Sequence, residues 1–161
     1  MPLLRPVSVG DAAQIAAIYE PLVRDNAVSF ELEPPGPAEM RGRIETVTAS
    51  HPWLVAEDGG AVLGYAYATS FRQRPAYRWS VETTVYVHPE HHRRGVGRPL
   101  YSALLDLATM WGFATAYVGI ALPTLPARRC TLLSGSPRSG CFPGRGTSWG
   151  SGTTWRGGIA L

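Results

Sequence analysis

The sequence of 161 residues contains no lysine, only two cysteines and no long apolar run. Cys130 and Cys141 lack the close spacing of a metal or redox motif, so free thiols are expected. No stretch approaches the roughly 18 apolar residues of a membrane helix. The N-terminus lacks the basic-then-apolar plan of a signal peptide. These absences predict a cytoplasmic globular protein without a membrane partner.

Acidic residues are missing from the end of the chain. All 12 of them precede residue 124, whereas five of the 15 arginines follow it. The segment 124–161 also holds eight of the 18 glycines and has no clean periodicity, which is typical of a poorly ordered tail. We therefore predict one domain at 1–123 and an atypical tail at 124–161. The basic tail lacks interleaved aromatic residues, so no nucleic-acid partner is expected.

Hydrophobic periodicity orders the domain as β-α-α-β-β-β-α-β. The predicted strands are 3–9, 53–57, 61–70, 79–87 and 114–121, and the predicted helices are 12–25, 37–50 and 97–111. Asp11 is the predicted N-cap of the first helix, and Asp58-Gly59-Gly60 the predicted hairpin turn. This order predicts an α/β (α+β) fold, with a mixed, mostly antiparallel sheet flanked by helices. The C-terminal strands are expected to be missing or disordered.

The most informative stretch is 84–101, where an apolar strand, a basic glycine-containing turn and a helix follow one another. Backbone N–H groups at a helix N-terminus have no partners inside the helix and lie at the positive end of its dipole. Gly95 and Gly97 allow a ligand to approach this backbone closely. Three arginines add positive charge: Arg93, Arg94 and Arg98. The stretch therefore predicts a cradle for a phosphorylated ligand.

Several blocks of the chain resemble the GNAT superfamily of acetyl-CoA-dependent N-acetyltransferases, and more closely its phosphinothricin or methionine sulfoximine acetyltransferases. Besides the turn, the blocks are 29–34, 52–57, 64–68, 76–79, 82–87 and 119–123, in the order of that family. The superfamily turn is Gln/Arg-x-x-Gly-x-Gly/Ala, and here it reads His92-Arg93-Arg94-Gly95-Val96-Gly97. His92 departs from the usual first residue, so its side-chain contacts are expected to differ.

The resemblance implies acetyl-CoA as the co-substrate and no metal. The turn would bind the pyrophosphate, and the preceding strand would pair with the pantetheine arm like an added strand. The implied cofactor-binding residues are Val85, Tyr86, Val87, Arg93, Arg94, Gly95, Val96, Gly97 and Arg98. His88, His91 and His92 resemble a metal cluster only superficially.

Glu82 matches the general base proposed for the family, since a protonated substrate amine must lose a proton before it attacks. The alternative is a structural carboxylate paired with Arg74 or Arg78. Arg72 and Arg74 match basic positions of the acceptor site, and the alternative is a solvated loop. Phe30 and Tyr86 match aromatic positions there, where core packing is the competing interpretation. The implied partner is a small amine substrate, and the resemblance leaves a homodimer open.

The tail departs from the family after Pro123. With one base missing near codon 124, the codons of 147–158 can be rewritten as the family's C-terminal hairpin. The same shift turns Thr124 into the Asn and Thr131 into the His that the family has there. A shifted reading frame is therefore our hypothesis. It predicts impaired activity and stability, and leaves open the alternative of an inactive CoA-binding remnant.

Overall fold

The computed structural model describes residues 2–25, 31–118 and, for the backbone alone, 151–154. Within these residues one sheet contains six strands in chain order: β1 Leu3–Pro6, β2 Trp53–Asp58, β3 Ala61–Ser70, β4 Ser80–Val87, β5 Thr115–Val118 and β6 Ser151–Thr154. Neighbouring strands are antiparallel except β4 and β5, which are parallel. The predicted mixed, mostly antiparallel sheet is therefore confirmed.

Helices cover both faces of this sheet, because each carries an apolar stripe at helical spacing. The α-helices in the described part are α1 Ala12–Arg24, α2 Pro37–Thr48 and α3 Gly97–Met110. Ile15 of α1 and Ile44 of α2 are buried against one face, together with Val55. Leu100 and Leu104 of α3 are buried against the other face. The predicted order of elements is confirmed, with β6 in addition.

The tight hairpin between β2 and β3 is confirmed at Gly59 and Gly60. Their φ angles are +57° and +85°, as a two-residue turn with two left-handed positions requires. Gly64 of β3 is needed for a different reason, since a Cβ there would lie 2.7 Å from the backbone oxygen of Tyr86. Glycine therefore lets β3 and β4 approach closely beside the end of β4.

Asp11 does not cap α1 in the way the sequence predicts. It directly precedes the helix, but its side chain makes no capping bond to α1 and instead completes the capping box of the 3-10 turn Val9–Asp11. Both carboxylate oxygens accept from the guanidinium of Arg5 at 2.8 Å, and the amide of Ser8 donates to Oδ2 at 2.7 Å. The carboxylate is therefore used to fix the end of β1, which stops at Pro6 rather than at residue 9.

One segment of the tail differs from its prediction. Ser151–Thr154 form β6, paired antiparallel with β5 from Thr115↔Thr154 to Val118↔Ser151. Pairing along β5 satisfies backbone groups that would otherwise form an open sheet edge. The expectation that the C-terminal strands are missing is thus wrong for these four residues. The remaining tail, 124–150 and 155–161, and the predicted strand residues 119–121 lie outside the described residues.

Candidate active site

Strand β4 carries both halves of the candidate site, because its side chains alternate between the two faces of the sheet. Val81, Val85 and Val87 pack on the α3 side. Tyr86 lies on the opposite face, where its ring contacts Tyr19 of α1 at a centroid distance of 5.3 Å. Glu82 and Thr84 share the face of Tyr86 by alternation.

Within the part of the chain that the structure describes, the backbone of β4 near its end pairs with a neighbouring strand on one side only. The β4–β5 ladder runs from Ser80↔Thr115 to Glu82↔Tyr117, and within the described residues it stops there, while β4 pairs with β3 as far as Val87. Beyond the last pair, the Thr83 hydroxyl donates to the Tyr117 carbonyl at 3.1 Å. We call the unpaired edge from Thr83 to Val87 the β4–β5 opening.

Two hydrogen bonds fix which backbone groups face the β4–β5 opening. The amide of His88 donates to the carbonyl oxygen of Leu63 at 2.8 Å, and the amide of Phe71 donates to the carbonyl oxygen of Ser80 at 3.4 Å. Since bonded and non-bonded pairs alternate in an antiparallel ladder, the even-numbered residues of β4 are bonded to β3. The N–H and C=O groups of Val85 and Val87 therefore point toward the opening. This geometry suits an extended ligand that pairs like a strand.

The turn between β4 and α3 lies next to this opening. Arg93 and Gly95 have φ angles of +62° and +78°. No side chain caps the start of α3, and its first helical bond runs from the amide of Leu100 to Val96 at 3.4 Å. The helix therefore presents its first N–H groups at the positive end of its dipole, as anion-binding turns do. Arg93, Arg94 and Arg98 are exposed around them.

His92 joins this turn to the strand. Its Nε2 lies 2.8 Å from the carbonyl oxygen of Val87. Because a carbonyl only accepts, Nε2 must carry the proton and donate. This contact gives a physical role to the residue at which the sequence departs from the superfamily turn.

Glu82 is half-buried, and this burial raises the pKa of its carboxyl group above the usual value of 4.5. Among the described residues no ion pair involves Glu82, so its predicted alternative partners Arg74 and Arg78 are not found on it. Its cross-strand neighbours are Thr69 on β3 and Tyr117 on β5. A desolvated, unpaired carboxylate accepts a proton more readily, as a base requires.

The loop from 71 to 79 lies beyond the end of β3 and carries three arginines. The Arg72 guanidinium lies 5.1 Å from the ring centroid of Phe71 and 5.5 Å from that of Tyr77. Phe71 in turn stacks on Tyr117 at 3.8 Å. Arg74 is exposed, just before the short 3-10 turn that begins at Pro75. This aromatic platform holds Arg72 near the strand that carries Glu82.

Two predicted acceptor residues have different outcomes. Tyr86 packs against Tyr19 and Tyr65, at 5.3 and 5.4 Å between ring centroids, and burial raises the pKa of its hydroxyl. It also shares the face of Glu82, so the observed packing leaves its role in the acceptor site a prediction. Phe30 lies outside the described residues.

Sequence reasoning missed a cavity on this same face. It has a volume of about 540 Å³ and lies between α2 and strands β2 and β3. We call it the aromatic cavity after three of its lining residues, Trp53, Tyr65 and Tyr67. Trp53 and Tyr67 stack at a centroid distance of 4.4 Å. The period-2 alternation of β2 and β3 places these rings on one face, but it does not distinguish a cavity wall from a packed core.

The histidines near the end of β4 and the absence of a membrane helix were also predicted features. The rings of His88 and His91 lie 5.6 Å apart, and no three of His, Cys, Asp or Glu in the described parts of the chain are grouped as a metal site. In those same parts, no helix has the length and apolar character needed to cross a membrane.

Known proteins are similar to this chain in both sequence and fold. The Acetyltransferase (GNAT) family matches residues 16–132. A phosphinothricin N-acetyltransferase from Streptomyces viridochromogenes is 39% identical over 126 residues, covering 78% of this chain and 69% of that protein. A phosphinothricin N-acetyltransferase from Alcaligenes faecalis is 47% identical over 103 residues, covering 63% of this chain and 52% of that protein.

A solved structure agrees with these two relatives. It is a GNAT superfamily phosphinothricin acetyltransferase from Sinorhizobium meliloti in complex with acetyl-CoA. It superimposes with a TM-score of 0.86 at 33% identity, over 94% of this chain and 84% of that chain.

Proposed function

This chain belongs to the GNAT family of acetyltransferases, and from that premise we propose that it transfers acetyl from acetyl-CoA to the amino group of a small amino-acid-like acceptor. It is an acetyl-CoA-dependent N-acetyltransferase of the phosphinothricin type. Phosphinothricin and methionine sulfoximine are the acceptors to test first. Its partner is a small-molecule acceptor, and its location is cytoplasmic. Light scattering will measure whether two chains form a homodimer.

The cofactor side consists of backbone groups and a basic turn. The N–H and C=O of Val85 and the N–H of Val87 face the β4–β5 opening and would pair with the amides of the pantetheine arm, whereas the Val87 carbonyl accepts from His92. The turn from Arg93 to Arg98 would hold the pyrophosphate through backbone N–H groups. Acetyl-CoA, when bound, supplies the thioester that is cleaved.

Glu82 is the proposed base. It takes a proton from the acceptor ammonium, directly or through one water, and the neutral amine then attacks the thioester carbonyl without an enzyme-bound acyl group. As the tetrahedral adduct collapses the C–S bond breaks, the nitrogen loses its second proton, and CoA leaves as a thiolate that takes up a proton to become the free thiol. A backbone N–H of the Val85–Val87 segment donates to the carbonyl oxygen as negative charge develops there. Arg72 and Arg74 would hold the acceptor carboxylate through paired N–H donors.

The observation that carries this proposal is the placement of a half-buried, unpaired carboxylate on the same strand as the β4–β5 opening. The experiment combines a thermal shift with acetyl-CoA and an assay of free CoA thiol released with each acceptor. Acceptor-dependent release supports the transferase. Stabilisation by acetyl-CoA without release with any amine would instead assign the chain to a CoA-binding remnant.

The tail from about residue 124 is proposed to result from a one-base shift of the reading frame. A tail rich in Gly, Ser, Thr and Arg cannot bury the apolar area of the family's last strands. The frame-restored protein should therefore turn over faster and unfold at a higher temperature than the natural chain. Equal turnover and stability of the two proteins would overturn this hypothesis, as would a gene in which no single-base change restores the family's hairpin.

A further inference from the structure

We propose that the aromatic cavity receives the side chain of the acceptor and selects an uncharged one. The inference rests on the proposed function, because it assumes an acceptor that is an α-amino acid or its analogue. The volume of about 540 Å³ lies within the range of small-molecule pockets.

Glu82 lies next to the aromatic cavity. Thr69 lines the aromatic cavity and is the direct partner of Glu82 in the β3–β4 register. Directly opposed residues of an antiparallel pair have Cβ atoms about 4.5–5.5 Å apart on the same face. Beyond Thr69, β3 ends at Ser70 and the loop with Arg72 begins. Glu82 therefore lies between the aromatic cavity on one side and the basic loop on the other.

The α-carbon of an amino acid carries an amine, a carboxylate and a side chain. With the amine at Glu82 and the carboxylate at Arg72 or Arg74, the third substituent is directed past Thr69 into the aromatic cavity. The cavity, Glu82 and the basic loop thus lie side by side, so that an α-carbon next to Glu82 presents one of its three groups to each of them.

The charge of the cavity wall disfavours an anionic side chain. Arg43 lines the cavity, but its guanidinium already donates to both oxygens of Glu31, at 2.7 and 2.9 Å, and also to Glu39. Two carboxylates on one guanidinium leave a net negative charge. Burial raises the pKa of Tyr65 and of Tyr67, so their hydroxyl groups stay neutral. Among the described lining residues, an anionic side chain therefore finds no unpaired cation.

The first test compares two acceptors that differ in this charge. Binding to the CoA-saturated protein is measured by calorimetry for methionine sulfoximine, whose side chain is uncharged, and for phosphinothricin, whose side chain is a phosphinate anion. We expect methionine sulfoximine to bind about tenfold more tightly, the scale of one charge–charge repulsion at partly screened distances. Equal affinities, or tighter binding of phosphinothricin, would overturn the inference.

The second test fills the cavity from α2. Gly42 lines it, and a Cβ at this position meets nothing within 4 Å. Gly42 is exposed, so Gly42→Leu adds a bulky side chain at the rim of the cavity without a clash, and it also raises helix propensity, so the variant should fold. We expect at least fivefold weaker binding of methionine sulfoximine, unchanged affinity for acetyl-CoA and an undiminished melting temperature. The matched control Gly42→Ala should bind like the wild type.

The two tests separate this inference from the proposed function. If Gly42→Leu binds methionine sulfoximine as the wild type does, the cavity is not the side-chain site, even when acetyl transfer proceeds. Absence of thiol release with every amine refutes the transferase, whereas acceptor binding still reports on the cavity. Glu39→Gln adds a charge test: it should narrow the preference for methionine sulfoximine, and Glu45→Gln, exposed on the same helix but outside the cavity, should not.

Discussion

The two faces of the sheet differ in what they bury. On the α3 side the core is aliphatic: Leu100 and Leu104 of α3 and Val81 of β4 are all at 0% exposure. Against α1 and α2 lie several aromatic rings that carry polar atoms, Trp53 and Tyr65 among them, together with the aromatic cavity. One face is a conventional core, and the other leaves a cavity of the size of a small-molecule pocket.

In the proposed mechanism, strand β4 contributes one of its faces and one of its edges to the same reaction. Its even-numbered side chains, such as Glu82, belong to the proposed acceptor face, whereas the backbone of Val85 and Val87 faces the β4–β5 opening. The acceptor half thus depends on which side chains are present, and the cofactor half on how the backbone is held. Changes to either half should consequently produce separate kinetic signatures.

The largest effect is expected at Glu82. Glu82→Gln keeps the shape but cannot take a proton, so kcat/KM should fall by about 10²- to 10⁴-fold, the usual contribution of a general base. In the wild type, kcat/KM should fall as pH decreases through the raised pKa of Glu82, and this limb should vanish in the variant. Acetyl-CoA affinity should not change. A variant with nearly full activity would remove Glu82 from the mechanism; Glu45→Gln is the control.

A backbone change in the turn should affect the cofactor half alone. Gly95 has a φ of +78°, and a residue with a Cβ pays about 1–2 kcal/mol in that region. Gly95→Ala should weaken acetyl-CoA binding by roughly five- to thirtyfold, and acceptor binding to CoA-saturated protein should stay the same. Calorimetry measures both. Unaltered acetyl-CoA affinity would show that the turn conformation is not needed for binding.

His92 should have a smaller effect on the same half. Its contact with the Val87 oxygen is one hydrogen bond, with a net value of about 0.5–1.5 kcal/mol. His92→Ala should raise KM for acetyl-CoA about two- to tenfold with little change in kcat. His92→Gln, which keeps an N–H donor and matches the superfamily, should restore KM. His91→Ala is the control, and an equal rise of KM there would attribute the effect to general loosening of the turn.

The smallest effect concerns stability. Because burial raises the folded-state pKa of Glu82, the folded state holds this proton more tightly than the unfolded state. Its contribution to stability is complete below the ordinary pKa of about 4.5 and is lost as pH rises through the folded-state pKa. Urea unfolding between these limits should show that wild-type stability declines relative to Glu82→Gln. Parallel curves would mean that Glu82 is solvated in the fold.

Local patterns in the sequence were sufficient for the helices, for the strands β1 to β5 and for the turn before α3. Apolar spacing identified α1 and α3, and Gly59-Gly60 identified the hairpin, since each signal lies within a few residues. Asp11 was misread because its partner Arg5 becomes available only once β1 pairs with β2. A cap and an ion pair demand the same residue type, and tertiary contacts decided between them.

The candidate site was predictable in its chemistry and less so in its geometry. Glu82 stood out as a carboxylate in an apolar strand, but its neighbour Thr69 depends on a register between distant segments. Trp53, Tyr65 and Tyr67 have the alternation of ordinary core residues, so the aromatic cavity has no signature in the sequence. It arises from the spacing between α2 and the sheet.

The alternation of β4 also limits how this protein can evolve. A substitution in the strand alters one contact, whereas a single inserted or deleted residue would exchange the two faces for every position that follows. An insertion just before Glu82 would direct its carboxylate toward α3, and the amide of Val85 would turn to β3. We therefore expect natural variants of this strand to differ in their residues but never in their length.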